Sequence, residues 1–96
     1  YAVVSAPCAA AMATGVRALM GTDYGVSTTG VAGPEPQEGK PVGLVYVGIA
    51  GPHGVDTHEL QLDGDRADIR AAATREAVRM LLEAVVHGPR KEPAEV

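Results

Sequence analysis

The sequence predicts a small layered α/β domain, and three observations support this fold class. Residues 43–50, GLVYVGIA, are almost entirely apolar, as expected for a strand that is covered on both faces. One helical pattern lies before this strand and a longer one lies after it. The 96 residues include three Tyr but neither Phe nor Trp, which favours close contact between helices and sheet through small side chains. An apolar strand between two helices is typical of layered α/β folds.

Residues 5–20 carry the signals of a helix with both ends marked. Ser5 is a suitable N-cap, because its hydroxyl can accept a hydrogen bond from the first turn. Pro7 lies in that turn, where its missing N–H is not needed, and Gly21 follows the last turn. Alanine fills most of the side opposite the larger apolar residues, so we expect this helix to be covered on more than one face. The larger residues form a stripe of Met12, Val16, Leu19 and Met20.

Three strand patterns follow the first helix. Residues 24–30, YGVSTTG, are a short β-branched run that ends in glycine, and residues 43–50 are the apolar strand. Residues 51–54, GPHG, are a turn signal, and residues 55–62 form a more polar run. The last two runs are therefore predicted to form an antiparallel hairpin, with residues 55–62 at or near an edge of the sheet.

The longest helical pattern extends from residue 66 to about residue 86. Its apolar stripe has a 3.6-residue period and comprises Ile69, Ala73, Ala77, Met80, Leu81, Ala84 and Val85. Residues 88–96, GPRKEPAEV, show no apolar period and contain two prolines. We therefore predict one domain at residues 1–87 and a flexible C-terminal tail at residues 88–96.

The composition argues against several classes of partner. The net charge of −4, with acidic and basic residues well mixed, does not favour binding to nucleic acid. No apolar stretch approaches the roughly 20 residues that span a bilayer, and no signal peptide is recognisable, so we expect a cytoplasmic protein without a membrane partner. Cys8 is the only cysteine, which excludes an internal disulfide and a cysteine-based zinc site.

The segment after residue 30 is the first candidate for a binding site. A strand that ends in Thr29 and Gly30 and then turns through Ala32, Gly33 and Pro34 can direct successive N–H groups towards one point. Such a concavity binds anions or stabilises an oxyanion. A plain turn, with glycine for positive φ and proline for rigidity, explains the same pattern and is favoured on the pattern alone.

Hydroxyl and imidazole side chains give weaker signals. Ser27, Thr28 and Thr29 offer hydroxyls, but nothing nearby in the sequence supplies a base, so we interpret them as strand residues. The three histidines share no metal-ligand spacing and are interpreted as surface residues. They are His53, His58 and His87.

Charged residues at the start of the second helix allow two interpretations each. Asp63, Asp65 and Asp68 lack the pattern of a calcium loop and fit the favourable field at a helix N-terminus. Arg66 and Arg70 lie one helical turn apart and could reach one anion from the same side. Two exposed arginines are more often only solvated, and the sequence does not decide between these alternatives.

Three stretches together resemble a known family. TTGVAGPEPQEGKPVGLVYVGIA resembles the Thr-Gly-Val-Ala-Gly-Pro and Lys-Pro-Val-Gly signature of the C-terminal domain of the competence/damage-inducible protein CinA. VVSAPCAAAMATGVRALMGTDYGVSTTG is similar to the preceding helix of that family, and LDGDRADIRAAATREAVRMLL to its last helix. The resemblance extends from residue 3 to about residue 86.

The resemblance implies a three-layer α/β/α sandwich, of which this chain represents the C-terminal part with two helices and about three strands. It also implies an oligomeric amidohydrolase that needs no cofactor and converts nicotinamide mononucleotide to nicotinate mononucleotide and ammonia. The family nucleophile is a serine in a Glu-Ser-Cys-Thr-Gly-Gly stretch, assisted by a lysine, both upstream of the matched region. This chain lacks that stretch, and neither Lys40 nor Lys91 fits the lysine. We therefore expect polypeptide upstream to carry the nucleophile, and we assign no catalytic residue or metal ligand here.

Within a complete domain, the resemblance places the substrate next to the loop. It implies that Thr29, Gly30, Ala32 and Gly33 line the pocket beside the absent serine, and that Arg66 reaches a phosphate group. The alternative is a non-catalytic nucleotide-binding or oligomerisation module of the same fold. That alternative is supported by the lack of a recognisable nucleophile–base pair in this chain.

Overall fold

The structure is a computed structural model that describes residues 3–87, and these residues form two helices and three strands. The predicted order of elements is confirmed, whereas the predicted flexible tail at residues 88–96 lies outside the described residues. The elements are α1 (Ala6–Met20), β1 (Gly25–Gly30), β2 (Leu44–Gly51), β3 (Gly54–Gln61) and α2 (Arg66–His87).

The three strands form one antiparallel sheet in the order β1–β2–β3. In the register of this sheet, Ser27 of β1 lies opposite Gly48 of β2, and Val47 of β2 lies opposite His58 of β3. The predicted hairpin between the second and third strands is therefore confirmed. Among residues 3–87, β2 is the central strand, which explains why its residues are almost all buried.

The two helices cover opposite faces of the sheet and do not touch each other. Side chains alternate along a strand, so neighbouring residues of β2 face different helices. Gly48 faces α1, whereas Val47 and Ile49 pack with α2. The larger core lies between the sheet and α2 and comprises Val45, Val47, Ile49, Ile69, Ala73, Ala77 and Met80. The predicted α/β/α layering is confirmed.

α1 lies unusually close to the sheet because the contact consists of small residues. Ala9 and Ala13 are the residues of α1 that are fully buried. Across from them, Gly25 and Gly48 lack side chains, and a Cβ added at either would strike a main-chain carbonyl oxygen of α1. The expectation of close helix–sheet contact through small residues is thus correct for this layer.

The stripe of larger residues on α1 does not join the core formed by residues 3–87. Leu19 is 82% exposed, Met20 65%, Met12 45% and Val16 38%. The covering that we expected over this stripe is therefore absent from the described residues. The hydrophobic periodicity identified the stripe of large side chains as the buried side of α1. At the glycines of β1 and β2, however, the helix lies so close to the sheet that only alanine fits at the contact. Neither helix in residues 3–87 combines the length and the apolar character needed to cross a membrane.

One residue of the predicted apolar stripe of α2 is also exposed rather than buried. Val85 is 53% exposed, whereas Ile69, Ala73, Ala77 and Met80 are buried against the sheet. Val78, Leu82 and Val86 are exposed as well. The last turns of α2 therefore present a second apolar side that the sheet does not cover.

The helix ends follow the local rules that the sequence indicated. The Ser5 hydroxyl accepts a hydrogen bond from the Cys8 N–H at 3.2 Å, and Gly21 ends α1 with φ of 65°. Both predicted boundary residues of α1 are therefore confirmed.

α2 begins with a reciprocal cap made by two carboxylates. The Asp68 N–H donates to Asp65 Oδ1 at 2.9 Å, and the Asp65 N–H donates to Asp68 Oδ2 at 3.1 Å. This arrangement satisfies two N–H groups at the helix start, as a capping box does. The interpretation of these aspartates as helix-terminal residues is confirmed.

Candidate functional site

The loop between β1 and β2 is closed at its base by main-chain hydrogen bonds. The Val31 N–H donates to the Leu44 carbonyl at 2.9 Å, and the Gly43 N–H donates to the Val31 carbonyl at 2.7 Å. Val31 is completely buried. These contacts hold the first residues after β1 in a defined position beside β2.

Glu38 connects the tip of the loop to the chain before α1. Its carboxylate accepts hydrogen bonds from the N–H groups of Val3 at 3.3 Å and Val4 at 3.0 Å. The Thr29 hydroxyl donates to the Val3 carbonyl at 2.7 Å and so adds a contact from β1. The loop is therefore fixed at its base and at its tip, although it has little regular structure.

A cleft of about 320 Å³ lies between the C-terminal end of β1 and the N-terminal half of α2. On the strand side, it is lined by Thr28, Thr29 and Gly30, and Ala32 follows from the loop. On the helix side, it is lined by Arg66 and Arg70. The cleft lies on the face of the sheet that α2 covers, because Ile69 and Val45 of that core also contribute to it.

The structure brings the predicted binding residues to this one place. Thr29, Gly30, Ala32 and Arg66 all line the cleft, although Arg66 lies more than thirty residues further along the chain. Gly33 is not part of the lining, but its carbonyl accepts a hydrogen bond from Arg66 Nη1 at 2.8 Å. The roles assigned to these residues remain predictions.

The two arginines give the cleft its electrostatic character. Among residues 3–87, Arg66 and Arg70 are the only ionisable residues that line the cleft, and both are exposed. A guanidinium has five N–H donors, of which the Gly33 carbonyl uses one on Arg66. Because Asp65 and Asp68 already accept from N–H groups at the start of α2, attraction for an anion depends mainly on the arginines. The cleft therefore suits a ligand with a negatively charged group.

The contacts of this loop fit the plain turn, which the sequence pattern alone favoured over an anion-binding concavity. Gly33 contributes its carbonyl to the contact with Arg66, and the Val31 N–H is bonded to the Leu44 carbonyl. Gly33 adopts a φ of 90°, and a Cβ there would come within 2.9 Å of Val42 Cγ1. At Gly30, a Cβ would come within 2.6 Å of Val45 Cγ2. Packing thus explains both glycines without a ligand.

Two of the three hydroxyls of β1 serve structural roles. The buried Ser27 hydroxyl donates to the Ala9 carbonyl at 2.6 Å, and the Thr29 hydroxyl donates to the Val3 carbonyl. Their side chains point to the α1 face, away from the cleft. The Thr28 side chain lies on the α2 face and is exposed at the cleft. The interpretation of Ser27 and Thr29 as strand residues without a catalytic base is therefore supported.

Tyr46 lies opposite Thr29 and shares its face of the sheet. Its hydroxyl donates to Glu59 Oε1 at 3.2 Å. Partial desolvation, followed by the hydrogen bond and the charge of Glu59, raises the pKa of Tyr46 above its usual value. The raised pKa favours the protonated phenol, which is the form that donates to Glu59.

Among the described residues, no group of three or more His, Cys, Asp or Glu side chains is arranged to hold a metal ion. The Asp65 and Asp68 carboxylates are engaged in the cap of α2 rather than turned towards a shared ligand. His53 is exposed and His58 is half-buried on β3. The side chain of His87 lies outside the described residues.

The layered fold and the arginine-lined cleft define an α/β domain with a candidate site for an anionic ligand. The family model of the CinA C-terminal domain matches residues 1–85. A CinA-like protein of Frankia casuarinae is 48% identical over 89 residues, which are 93% of this chain and 21% of the relative. A putative competence-damage inducible protein of Geobacillus kaustophilus is 49% identical over 82 residues, with 83% and 20% covered. This chain belongs to the CinA C-terminal domain family.

Solved structures support the same assignment. The crystal structure of the competence damage-inducible protein A (ComA) from Klebsiella pneumoniae matches with a TM-score of 0.84 and 32% identity, over 91% of this chain and 55% of that one. The competence/damage inducible protein CihA from Agrobacterium tumefaciens matches with a TM-score of 0.77 and 37% identity, over 83% and 50%. This chain therefore spans about half of these solved structures and about a fifth of the curated relatives.

Proposed function

We propose that this chain is the substrate-binding part of an amidohydrolase domain that converts nicotinamide mononucleotide to nicotinate mononucleotide and ammonia. Membership of the CinA C-terminal domain family supports this proposal together with the resemblance in the TTGVAGP loop. The observation that carries it is the cleft at the end of β1, in which Arg66 and Arg70 lie one helical turn apart. A mononucleotide has one phosphate, and arginine is well suited to bind it through paired N–H donors.

The cleft could bind the two ends of such a substrate differently. The arginines would hold the phosphate, while Val45 and Ile69 offer an apolar wall for the pyridine ring. Hydrolysis replaces the C–N bond of the carboxamide with a C–O bond to water, and the nitrogen leaves as ammonia. Such a reaction needs an activated nucleophile in addition to binding groups. In this proposal, polypeptide outside the described residues supplies that nucleophile.

The test uses what we call the completed domain: this chain together with the remainder of the CinA C-terminal domain of the Frankia casuarinae relative. Ammonia release from nicotinamide mononucleotide is measured for the completed domain and for the 96-residue chain alone. We expect release only from the completed domain. Equal release from the chain alone would contradict the assignment of the nucleophile to other polypeptide.

Arginine variants of the completed domain test the binding role. Because phosphate contacts are lost, Arg70→Gln and Arg66→Gln should each raise the KM for nicotinamide mononucleotide about tenfold. They should alter the reaction of nicotinamide riboside, which lacks the phosphate, much less. Arg75→Gln is the matched control, because Arg75 is exposed on α2 outside the lining of the cleft. An equal effect of all three variants would contradict the proposed role of the cleft.

A non-catalytic nucleotide-binding module is the second candidate. It is favoured by the hydrogen bonds that engage the Ser27 and Thr29 hydroxyls with main-chain carbonyls. Calorimetry of the completed domain with nicotinamide mononucleotide separates the two functions. Binding without any ammonia release would select the module over the enzyme.

A further inference from the structure

The tip of the loop between β1 and β2 is a tight turn that contains an unusual residue. Gln37 and Lys40 exchange two main-chain hydrogen bonds, of 2.8 and 3.3 Å, around Glu38 and Gly39. Both central residues have a positive φ, 54° at Glu38 and 72° at Gly39. Glycine and asparagine are the usual residues in such turns, because larger side chains oppose this conformation. Among residues 3–87, Glu38 is the only residue other than glycine with a positive φ, so another interaction must hold it there.

The carboxylate of Glu38 provides that interaction. Its Oε1 accepts a hydrogen bond from the Val4 N–H at 3.0 Å, and its Oε2 accepts one from the Val3 N–H at 3.3 Å. Val4 is itself anchored, because its buried side chain packs against Val31 and Leu44 in a small second core. The carboxylate therefore fixes the tip of the loop to a segment that has little freedom to move.

Further back along the loop, the chain contacts the cleft. The Gly33 carbonyl, five residues before Glu38, accepts the 2.8 Å hydrogen bond from Arg66 Nη1. Pro34 and Pro36 lie between these two points, and their fixed φ angles make the stretch stiff. A stiff stretch that is held at one end determines where its other end lies. The anchoring of Glu38 thus affects the acceptor that orients the Arg66 guanidinium.

We propose that Glu38 is a positioning residue for the anion site in the cleft. It holds the loop tip, the loop holds the Gly33 carbonyl, and that carbonyl orients Arg66. Glu38 does not line the cleft, so it acts on a ligand through Arg66 and not by contact. Within residues 3–87, the structure shows no hydrogen bond from the Arg70 side chain to this loop. The proposal rests on the part of the proposed function that assigns a negatively charged group to the two arginines.

Binding of inorganic phosphate to the completed domain tests this role without requiring any reaction. Because Arg66 loses its fixed orientation, Glu38→Gln should raise the Kd for phosphate, measured by calorimetry, about fivefold. Glu38→Gly should have the same effect, and it also removes the carboxylate while keeping the residue that such a turn prefers. An unchanged Kd in both variants would overturn the proposal.

Glu35→Gln is the matched control for charge. Glu35 is an exposed glutamate of the same loop, and the structure shows no hydrogen bond of its side chain within residues 3–87. Removing a negative charge by itself favours phosphate binding, so weaker binding in the Glu38 variants has to come from lost positioning. Equal changes in Kd for Glu35→Gln and Glu38→Gln would overturn the proposal.

Double variants separate positioning from a general structural effect. In an Arg66→Gln background, Glu38→Gln should weaken phosphate binding no further, because the residue through which it acts is gone. In an Arg70→Gln background, it should still weaken binding about fivefold, since the contact between Gly33 and Arg66 remains. Full additivity with Arg66→Gln would overturn the proposal.

Amide exchange in the completed domain reports on the anchoring itself. Exchange at the Val4 amide should become faster in Glu38→Gln and Glu38→Gly but not in Glu35→Gln, because only Glu38 accepts from this N–H. Unchanged exchange in the Glu38 variants would overturn the proposal. Weaker phosphate binding in those variants, in a domain that releases no ammonia from nicotinamide mononucleotide, would support the role of Glu38 and contradict the proposed function.

Discussion

At the scale of single residues, the smallest side chains decide how close the layers come. Gly25 and Gly48 allow the main chain of α1 to rest on the sheet, with Ala9 and Ala13 between them. The Ser27 hydroxyl then reaches the Ala9 carbonyl at 2.6 Å, which a more distant helix would not permit. A chain without Phe and Trp thus obtains close packing by bringing main chains together.

Gly48→Ala should destabilise the completed domain, because the added Cβ would strike the Ala9 carbonyl oxygen. We expect the free energy of unfolding in urea to fall by about 1–3 kcal/mol, as for other overpacked cores. Gly15→Ala is the control: this α1 glycine has nothing within 4 Å of an added Cβ. Its replacement should raise stability by about 0.5–1 kcal/mol through helix propensity. Losses of the same size at both positions would contradict this account of the α1 contact.

At the scale of elements, the order of helices and strands follows from local signals and could be predicted. Ser5 and Gly21 mark the ends of α1 because capping involves only neighbouring main-chain groups. The side of α1 that is buried could not be predicted in the same way. It depends on the glycines of β1 and β2, which select Ala9 and Ala13 over the larger stripe that includes Leu19.

Asp65→Ala should shorten or destabilise α2, because the Asp68 N–H would lose its carboxylate acceptor. We expect a loss of about 1 kcal/mol in the free energy of unfolding, as for other N-cap replacements. Asp63→Ala is the control, since Asp63 is an exposed residue two positions earlier that makes no contact in this cap. A larger loss at Asp63 than at Asp65, measured in the same urea titration, would be inconsistent with the capping box.

Only part of the cleft could be predicted from the sequence, because the cleft depends on how α2 packs against β1. The loop residues Gly30 and Gly33 and the pair Arg66 and Arg70 are visible in the sequence as separate features. Their meeting depends on α2 crossing the face of β1 at its C-terminal end, which no local pattern specifies. The register of β1 with β2 shows on which face of the sheet the Thr28 side chain lies. That face is the one with the cleft, so Thr28 contributes to the lining.

At the scale of the whole molecule, the two edges of the sheet differ in how residues 3–87 cover and protect them. The α2 layer and the sheet enclose a core around Val47 and Ile69, and β3 ends the sheet with charged residues. At the other edge, within the described part of the chain, β1 has no neighbouring strand on its outer side, and apolar residues of α2 such as Leu82 are exposed. The cleft lies beside the β1 edge, because Thr28 and Gly30 line it. We therefore expect ligand binding in the cleft to depend on what covers this edge in the complete domain.

The most direct test of the central claim is a crystal structure of the completed domain with nicotinamide mononucleotide bound. We predict that the phosphate lies within hydrogen-bonding distance of Arg66 or Arg70 and that the pyridine ring contacts the cleft beside Gly30. A ligand bound remote from both Gly30 and Gly33 would contradict the account.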